Sequence, residues 1–537
     1  MSATLLPALG TYAPGSEGAI FASEGLRHAT ERFRETTFIV QNQLHGQVGV
    51  GFGGNLQGPG AGDRVLAVLP PLYPEWLGDR SFQEVHGTRF PYIAGAMANG
   101  IATVEMVIEM GRAGMLGSFG AAGLAPAQVE KALDQIQESL SPQSLPYGMN
   151  LIHSPHEPDL ENAIVDLYLA RGVRRIDAAA YMDLTPMVVR YALKGLREMP
   201  DGSIERQNHV FAKVSRPEVA ARFMAPAPAA MVQGLLEKGE LTQEEARLSR
   251  RVSVAEDITV EADSGGHTDN QSLTCIFPAV LRVREHCVRT HDLRRPIRVG
   301  AAGGLGTPDA LAAAFALGAA YVMTGSVNQS ALESGLHPEG KRLLGQAGLG
   351  DVTMAPAADM FEMGVKVQVL KRGTLFAARA QKLYDVYRNH ASLESIPEAE
   401  RARLEKDIFQ DSIAGVWRGT ADYFQQRDPA QIARAEADPK HRMALVFRWY
   451  LGQSSKWAIA GADKRRLDYQ IWAGPALGAF NSWVKGSFLE PVENRSVVQI
   501  ARNLLEGSGV VTRAQQLRTY GVALPPEAFL YSPRPLA

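Results

Sequence analysis

The chain has 537 residues, 45% of them hydrophobic, with 55 basic and 57 acidic side chains and a formal net charge of -2. That length suits one large domain with additions, or about three ordinary ones, and the balanced charge removes the electrostatic case for a nucleic-acid partner. Two cysteines, Cys275 and Cys287, exclude a disulfide framework and leave no ligand set for a structural zinc or an iron–sulfur cluster. No run of 18 apolar residues suggests a membrane span. The opening stretch has neither the basic region nor the apolar region of a signal peptide, so the expected location is the cytoplasm.

Residues 1–88 mix strand-like pieces, such as VGVGFGG (48–54) and VLAVLPP (65–71), with Gly and Pro breaks. They read as a small N-terminal appendage with β structure. From residue 89 to 335, short apolar runs alternate with helical stretches. PYIAGAM (91–97), GMLGSFG (114–120), PYGMNLI (146–152) and VRRIDAAA (173–180) each precede a helical pattern. HVFAKVS (209–215), DITVEADSGG (257–266), IRVGAAGG (297–304) and AYVMTGS (320–326) do the same, the last before a helix over 328–335. Buried parallel strands read as short apolar runs, and each needs a crossover helix. Eight such units predict an α/β fold, a (β/α)8 TIM barrel, over a doubly wound sheet. The sheet would also open on a GxGxxG loop, which AGAMANG is not.

Residues 217–256 are too long for one plain helix. Within them ELTQEEARLSRR carries a capping-box pattern, Thr242 at the N-cap and Glu245 three residues on. A helical insertion after strand five is expected, serving as a lid or substrate flap on the active side of the barrel. Residues 336–537 read as a mostly helical C-terminal extension holding five of the six tryptophans. Its aromatics fit helices packing on the barrel and on each other, or an interface with a partner or a second subunit in a homodimer.

Barrel chemistry sits at the C-terminal strand ends. Strand one ends in the small residues Gly95, Ala96, Met97 and Ala98, open to a planar ligand; strand three ends in Asn150, strand four near Asp177 and strand five in Lys213. Gly303 and Gly304 follow strand seven, and Gly325 and Ser326 follow strand eight, where barrels commonly bind phosphate with backbone N–H groups and a helix N-terminus. Thr307 before Pro308 forms a helix start with Pro at N1. Together these suggest a flavin mononucleotide, with Lys213 beside the N1/O2 side of the ring. Strand six ends in Ser264, Gly265, Gly266 and His267. On its own, His267 could be an acid, a metal ligand or a polar residue after a turn; no nearby carboxylates show metal-ligand spacing.

The motifs PYIAGAMANGIATVEMVIEMGRAGMLGSFGAAGL, YGMNLI, FAKVS, EADSGGHTDN, AAGGLG and MTGSVNQ, in that order over about residues 90–335, resemble the flavin-dependent barrels that include nitronate monooxygenases and FabK-type enoyl reductases. EADSGGHTDN, the segment 354–390 and the long C-terminus resemble one branch across nearly the whole chain. That branch is the PfaD-type trans-acting enoyl reductases of polyunsaturated fatty acid and trans-acyltransferase polyketide synthases. The resemblance implies FMN against Ala96, Met97 and Ala98, with Asn150 and Lys213 at the ring. Gly265, Gly266, Gly303, Gly304, Gly325 and Ser326 would surround the ribityl phosphate. His267 falls on the family's catalytic histidine, and no metal is implied. The monooxygenases carry AGGHRG where this chain has SGGHTDN, which favours the reductase branch.

The resemblance further implies NAD(P)H as reductant and an enoyl thioester on an acyl carrier protein as substrate, within a synthase. Lys464, Arg465 and Arg466, or the run RLSRR (247–251), are candidates for receiving the acidic carrier. A nitronate-oxidising flavoenzyme, a non-catalytic docking subunit and a phosphate-binding barrel without flavin are the alternatives.

Overall fold

The computed structural model of the protein describes residues 7–153 and 158–536. The start of the stretch read for a signal peptide, residues 1–6, therefore lies outside the described residues. Eight parallel strands close a barrel: β1 (Tyr92–Ala94), β2 (Leu116–Phe119), β3 (Gly148–Ile152), β4 (Arg175–Ala179), β5 (His209–Val214), β6 (Asp257–Glu261), β7 (Arg298–Ala302) and β8 (Val322–Thr324). Each falls on one of the eight apolar runs. The runs are continuous because a parallel strand is buried on both faces, by the barrel interior and by a helix. Among the described residues no single helix is long and apolar enough to cross a membrane.

The outer ring departs from the expected pattern at one place. Residues 328–335 do not form the eighth helix; after β8 there is only a 3-10 turn, Ser326–Ser330. The vacant position is filled from far along the chain by helix Val497–Thr519, which packs on helices Pro308–Ala316 and Val104–Arg112. Its Val497, Ile500, Ala501, Leu504 and Leu505 belong to the barrel's own core. The boundary at 335 thus cuts through a structural unit. The boundary at 88 does too, because helix Arg80–His86 stops the bottom of the barrel, with Phe82 stacked on Tyr321 at 4.6 Å.

The N-terminal β structure is a five-stranded sheet whose apolar side packs, through Ile39, Val50 and Phe52, on Leu517 of the last helix. The extension is not all helical. After helix Pro338–Gly345 it carries a hairpin, β9 (Val352–Pro356) with β10 (Lys366–Leu370), that the sequence reading missed. The hairpin and helices Phe376–Asn389, Ile413–Arg427 and Pro439–Ala460 enclose a second core. The aromatic-rich segment is spent there, with Trp449 and Trp457 ring centres 5.9 Å apart.

Segment 217–256 is helical, and Thr242 and Glu245 form the expected capping box. It does not lie over the active end. None of its residues lines the cavity described below. Glu245 instead accepts from the backbone N–H of Gly195, past the C-terminal end of helix Pro186–Leu193, and faces Lys194. The flap expectation fails because that buried carboxylate pins the insertion to the opposite flank.

Candidate active site

At the C-terminal end of the barrel the strand ends and the extension enclose a cavity of about 740 Å3, within the range of cofactor sites. The predicted residues Ala96, Met97 and Ala98, the pair Gly265 and Gly266, and His267 all line it. So do Lys213, Gly303, Gly304, Gly325 and Ser326. Asn150 does not. It is 5% exposed, and its amide donates to the Asp177 carbonyl and accepts from the Ala122 N–H, bracing β3 against its neighbours. The assignment of Asn150 to a ligand ring is corrected accordingly: the strand end is as expected, but its side chain is committed to backbone groups.

The glycines after β7 and β8 are open in the way a bound anion needs. Gly303 and Gly304 have φ of +80° and +71°, in the left-handed region that glycine adopts without strain. A Cβ on Gly304 or on Gly325 would meet no atom within 4 Å. Thr307 caps the following helix through the Ala310 N–H, with Pro308 in the first turn as expected. The Ser326 hydroxyl accepts from the Gly474 N–H, so one strand end is already tied to the extension.

Charge is arranged in two pairs. Lys213 Nζ lies 3.4 Å from Glu261 Oε1. Burial opposes the charge on Lys213, but Glu261 and the buried Asp177 outweigh it and raise its pKa. Burial also raises the pKa of Asp177, which accepts from the Ala96 N–H.

His267 forms the second pair. The chain beyond Gly265 runs as a two-residue strand antiparallel to β10, with Gly266 opposite Gln368 and His267 opposite Val367. Gln368 holds the loop, donating to Asp263 Oδ1 and to the Ser264 carbonyl at 2.7 Å each. His267 Nε2 is then 3.3 Å from Asp359 Oδ1, in the loop of the hairpin. Burial works against the imidazolium, yet the hydrogen bond and charge of Asp359, with Glu261 behind it, raise the His267 pKa. Asp359 is correspondingly lowered: His267 outweighs the cost of its own burial. The imidazole is therefore poised to hold a proton while remaining 46% exposed to the cavity.

The residues after His267 have a structural task. Asp269 accepts from Ser215 Oγ at 2.7 Å and from Arg216 twice at 3.0 Å, which fastens the loop to the end of β5. Asn270 donates to Asp263, and Thr268 Oγ1 accepts from the Asn270 N–H.

Sequence reasoning missed the half of the cavity that the extension builds. Asp359 and Val367 come from the hairpin, Trp472 from the segment beyond, and Tyr423, Gly452 and Lys456 from two helices. The alternation in VKVQVL (365–370) was the available signal for the hairpin. In the two basic candidates for a carrier surface, Lys464 and Arg250 stay exposed, while the other arginines meet partners within the chain. Arg465 is buried against Trp457 and Asp468, and Arg466 pairs with Glu339 at 2.6 Å. Arg247 and Arg251 pair with Glu198, on the flank away from the cavity.

One cluster offers metal-type ligands among the described residues, His86, His209 and Asp257 at the bottom of the barrel. Arg298 already binds both Asp257 oxygens, at 2.6 and 2.8 Å, so the charge there is balanced without a cation.

Comparison with known proteins adds four likenesses. Residues 390–469 match the family model described as acyl-carrier-protein S-malonyltransferase, inserted helical domain. A polyunsaturated fatty acid synthase polypeptide from Thraustochytrium sp. is 48% identical over 469 residues, 85% of this chain. The polyketide biosynthesis protein PksE of Bacillus subtilis is 44% identical over 446 residues, 83% of this chain. The chain spans 31% of the first relative's length and 58% of the second's. The solved enoyl reductase domain of MlnA, from the macrolactin biosynthesis cluster of Bacillus amyloliquefaciens, is 39% identical with a TM-score of 0.78, covering 83% of this chain and 98% of that domain.

Proposed function

This chain belongs to the PfaD-type trans-acting enoyl reductase family of polyunsaturated fatty acid and polyketide synthases, and from that premise we propose that it is an FMN-dependent oxidoreductase. Its substrate is the 2,3 double bond of an enoyl thioester borne by an acyl carrier protein, its reductant NAD(P)H, and its place of work a synthase in the cytoplasm. The observation that carries this reading is the charged pair His267–Asp359 facing Lys213 across one cavity floored by the open glycines of β7 and β8.

The residues present fit the flavin. Gly304 and Gly325 leave space where any side chain would intrude, and the helix starting at Pro308 offers its N-terminus to a phosphate. Ala96, Met97 and Ala98 form a low wall for a planar ring. Bound flavin supplies two-electron chemistry, accepting a hydride from NAD(P)H and delivering one to the β-carbon of the enoyl group. Lys213 keeps a positive charge beside the site. His267 holds the proton that the α-carbon needs, and Asp359 keeps the ring oriented and charged until the proton leaves. The likeness of residues 390–469 to a domain of an enzyme named for acyl carrier protein supports a carrier-borne substrate.

The test is a visible spectrum of the purified protein, then anaerobic bleaching by NADPH and reoxidation by crotonyl thioester. His267→Ala should keep the yellow colour and the bleaching but lose enoyl turnover by about 10²- to 10⁴-fold. Undiminished turnover would remove His267 from the proton-transfer role. Protein that binds no flavin, or that turns over a nitronate with oxygen and no NAD(P)H, would replace the reading altogether.

A further inference from the structure

The cavity does not end at His267. It continues between helices Ile413–Arg427 and Pro439–Ala460, where Gly419, Thr420 and Tyr423 on one helix face Gly452, Gln453 and Lys456 on the other. Glycine inside a helix costs about 1 kcal/mol relative to alanine, and such glycines usually admit a packing neighbour. Gly419 and Gly452 admit none: a Cβ at either would meet no atom within 4 Å. Both glycines widen a passage instead of tightening a contact.

The passage has a definite polarity. Between its ends it is lined by the uncharged Gly419, Thr420, Gly452 and Gln453, while Arg448, towards Asp359, is paired with Glu362 at 3.2 Å. The Gln453 side-chain amide makes no hydrogen bond to the protein among the described residues, so its donor and acceptor are available there. At the outer end Lys456 Nζ and Arg427 Cζ each lie 5.7 Å from the ring centre of the exposed Tyr423. Lys456 forms no ion pair among the described residues. A ligand matching this order has a reactive end at His267, a thin neutral arm with amide groups, and a single anionic group at the mouth.

We propose that the passage between these two helices binds the 4′-phosphopantetheine arm of the substrate thioester, with the arm along Gly419, Gly452 and Gln453 and its phosphodiester on Lys456. The inference rests on the enoyl reductase reading and adds to it the segment that recognises the carrier.

Two thioesters separate the outcomes: crotonyl-CoA, which carries the phosphopantetheine phosphate, and crotonyl-N-acetylcysteamine, which lacks it. Lys456→Glu should raise KM for crotonyl-CoA about tenfold and leave the short thioester within twofold. Gly452→Leu, which places its side chain in open space, should lower kcat/KM for crotonyl-CoA at least tenfold while flavin content and NADPH bleaching stay at the wild-type level. Equal effects of Lys456→Glu on both thioesters, or a raised KM for NADPH instead, would overturn the site. Wild-type behaviour of both variants would overturn it as well. Failure of every enoyl thioester to reoxidise the wild-type protein would instead strike the enoyl reductase reading itself, so the two failures are distinguishable.

Discussion

His267 and Asp359 show how one side chain acquires its chemistry from a distant one. The sequence marks His267 through the two glycines before it and the strand end that carries it. Nothing local marks Asp359, which reaches the imidazole from a hairpin loop. An imidazole whose pKa is raised by a carboxylate keeps its proton further into the alkaline range. Asp359→Asn removes the hydrogen-bonded charge, so the alkaline limb of the kcat/KM profile for enoyl reduction should move to lower pH, with flavin content unchanged. An unmoved limb would mean that Asp359 does not set the His267 proton affinity. Lys213 was legible in the same way as His267, by its place at a strand end. Asn150 was legible as a strand end too, but a pattern of residue types does not say whether an amide faces a cavity or its own backbone neighbours.

At the scale of elements, the active loop is a joint between barrel and extension. The β6 loop is held by β10 through Gln368, by β5 through Asp269 and by the segment around Ala473. Gly265 permits the last of these: a Cβ there would lie 2.8 Å from the Ala473 backbone. Gly265→Ala should therefore push the extension off the loop, lowering stability by about 1–3 kcal/mol and loosening His267. The loss should appear as a lower Tm together with weaker flavin retention, and a Tm within a degree of wild type would show that the joint yields easily. The hairpin escaped sequence reasoning because its alternating run sits inside a stretch dominated by helical composition. Its two strands pair with each other across the loop that carries Asp359, and β10 also receives the two-residue strand of the β6 loop, a partner outside any local window.

At the scale of the molecule, the two ends of the chain complete the barrel. The last helix fills the eighth outer position and carries the N-terminal sheet, while helix Arg80–His86 closes the bottom over a buried charge network. There His209 is driven down to about 2 by burial, with His86 beside it. A depressed histidine pKa means that the unfolded chain takes up the proton first, so stability present above about pH 6.5 is lost as pH falls below it. Between pH 7.5 and 5.5 this one group contributes a loss of about 1.4 kcal/mol. His267, with its pKa raised, acts in the opposite sense, so the useful measurement is a difference. The fall in urea-unfolding free energy over that range should be smaller in His209→Phe than in the wild type. Equal falls would show that His209 is not held neutral in the fold.

The local sequence was sufficient for the eight strands, the capping box at Thr242, the glycines of β7 and β8 and the histidine after β6. Strand burial, helix capping and left-handed backbone each leave a mark within a few residues. It was not sufficient for the eighth helix, the hairpin, the partner of His267 or the channel beyond it. Those depend on which distant segments come to lie against the barrel, and that choice is made by summed burial and backbone pairing over the whole chain rather than by any window of it.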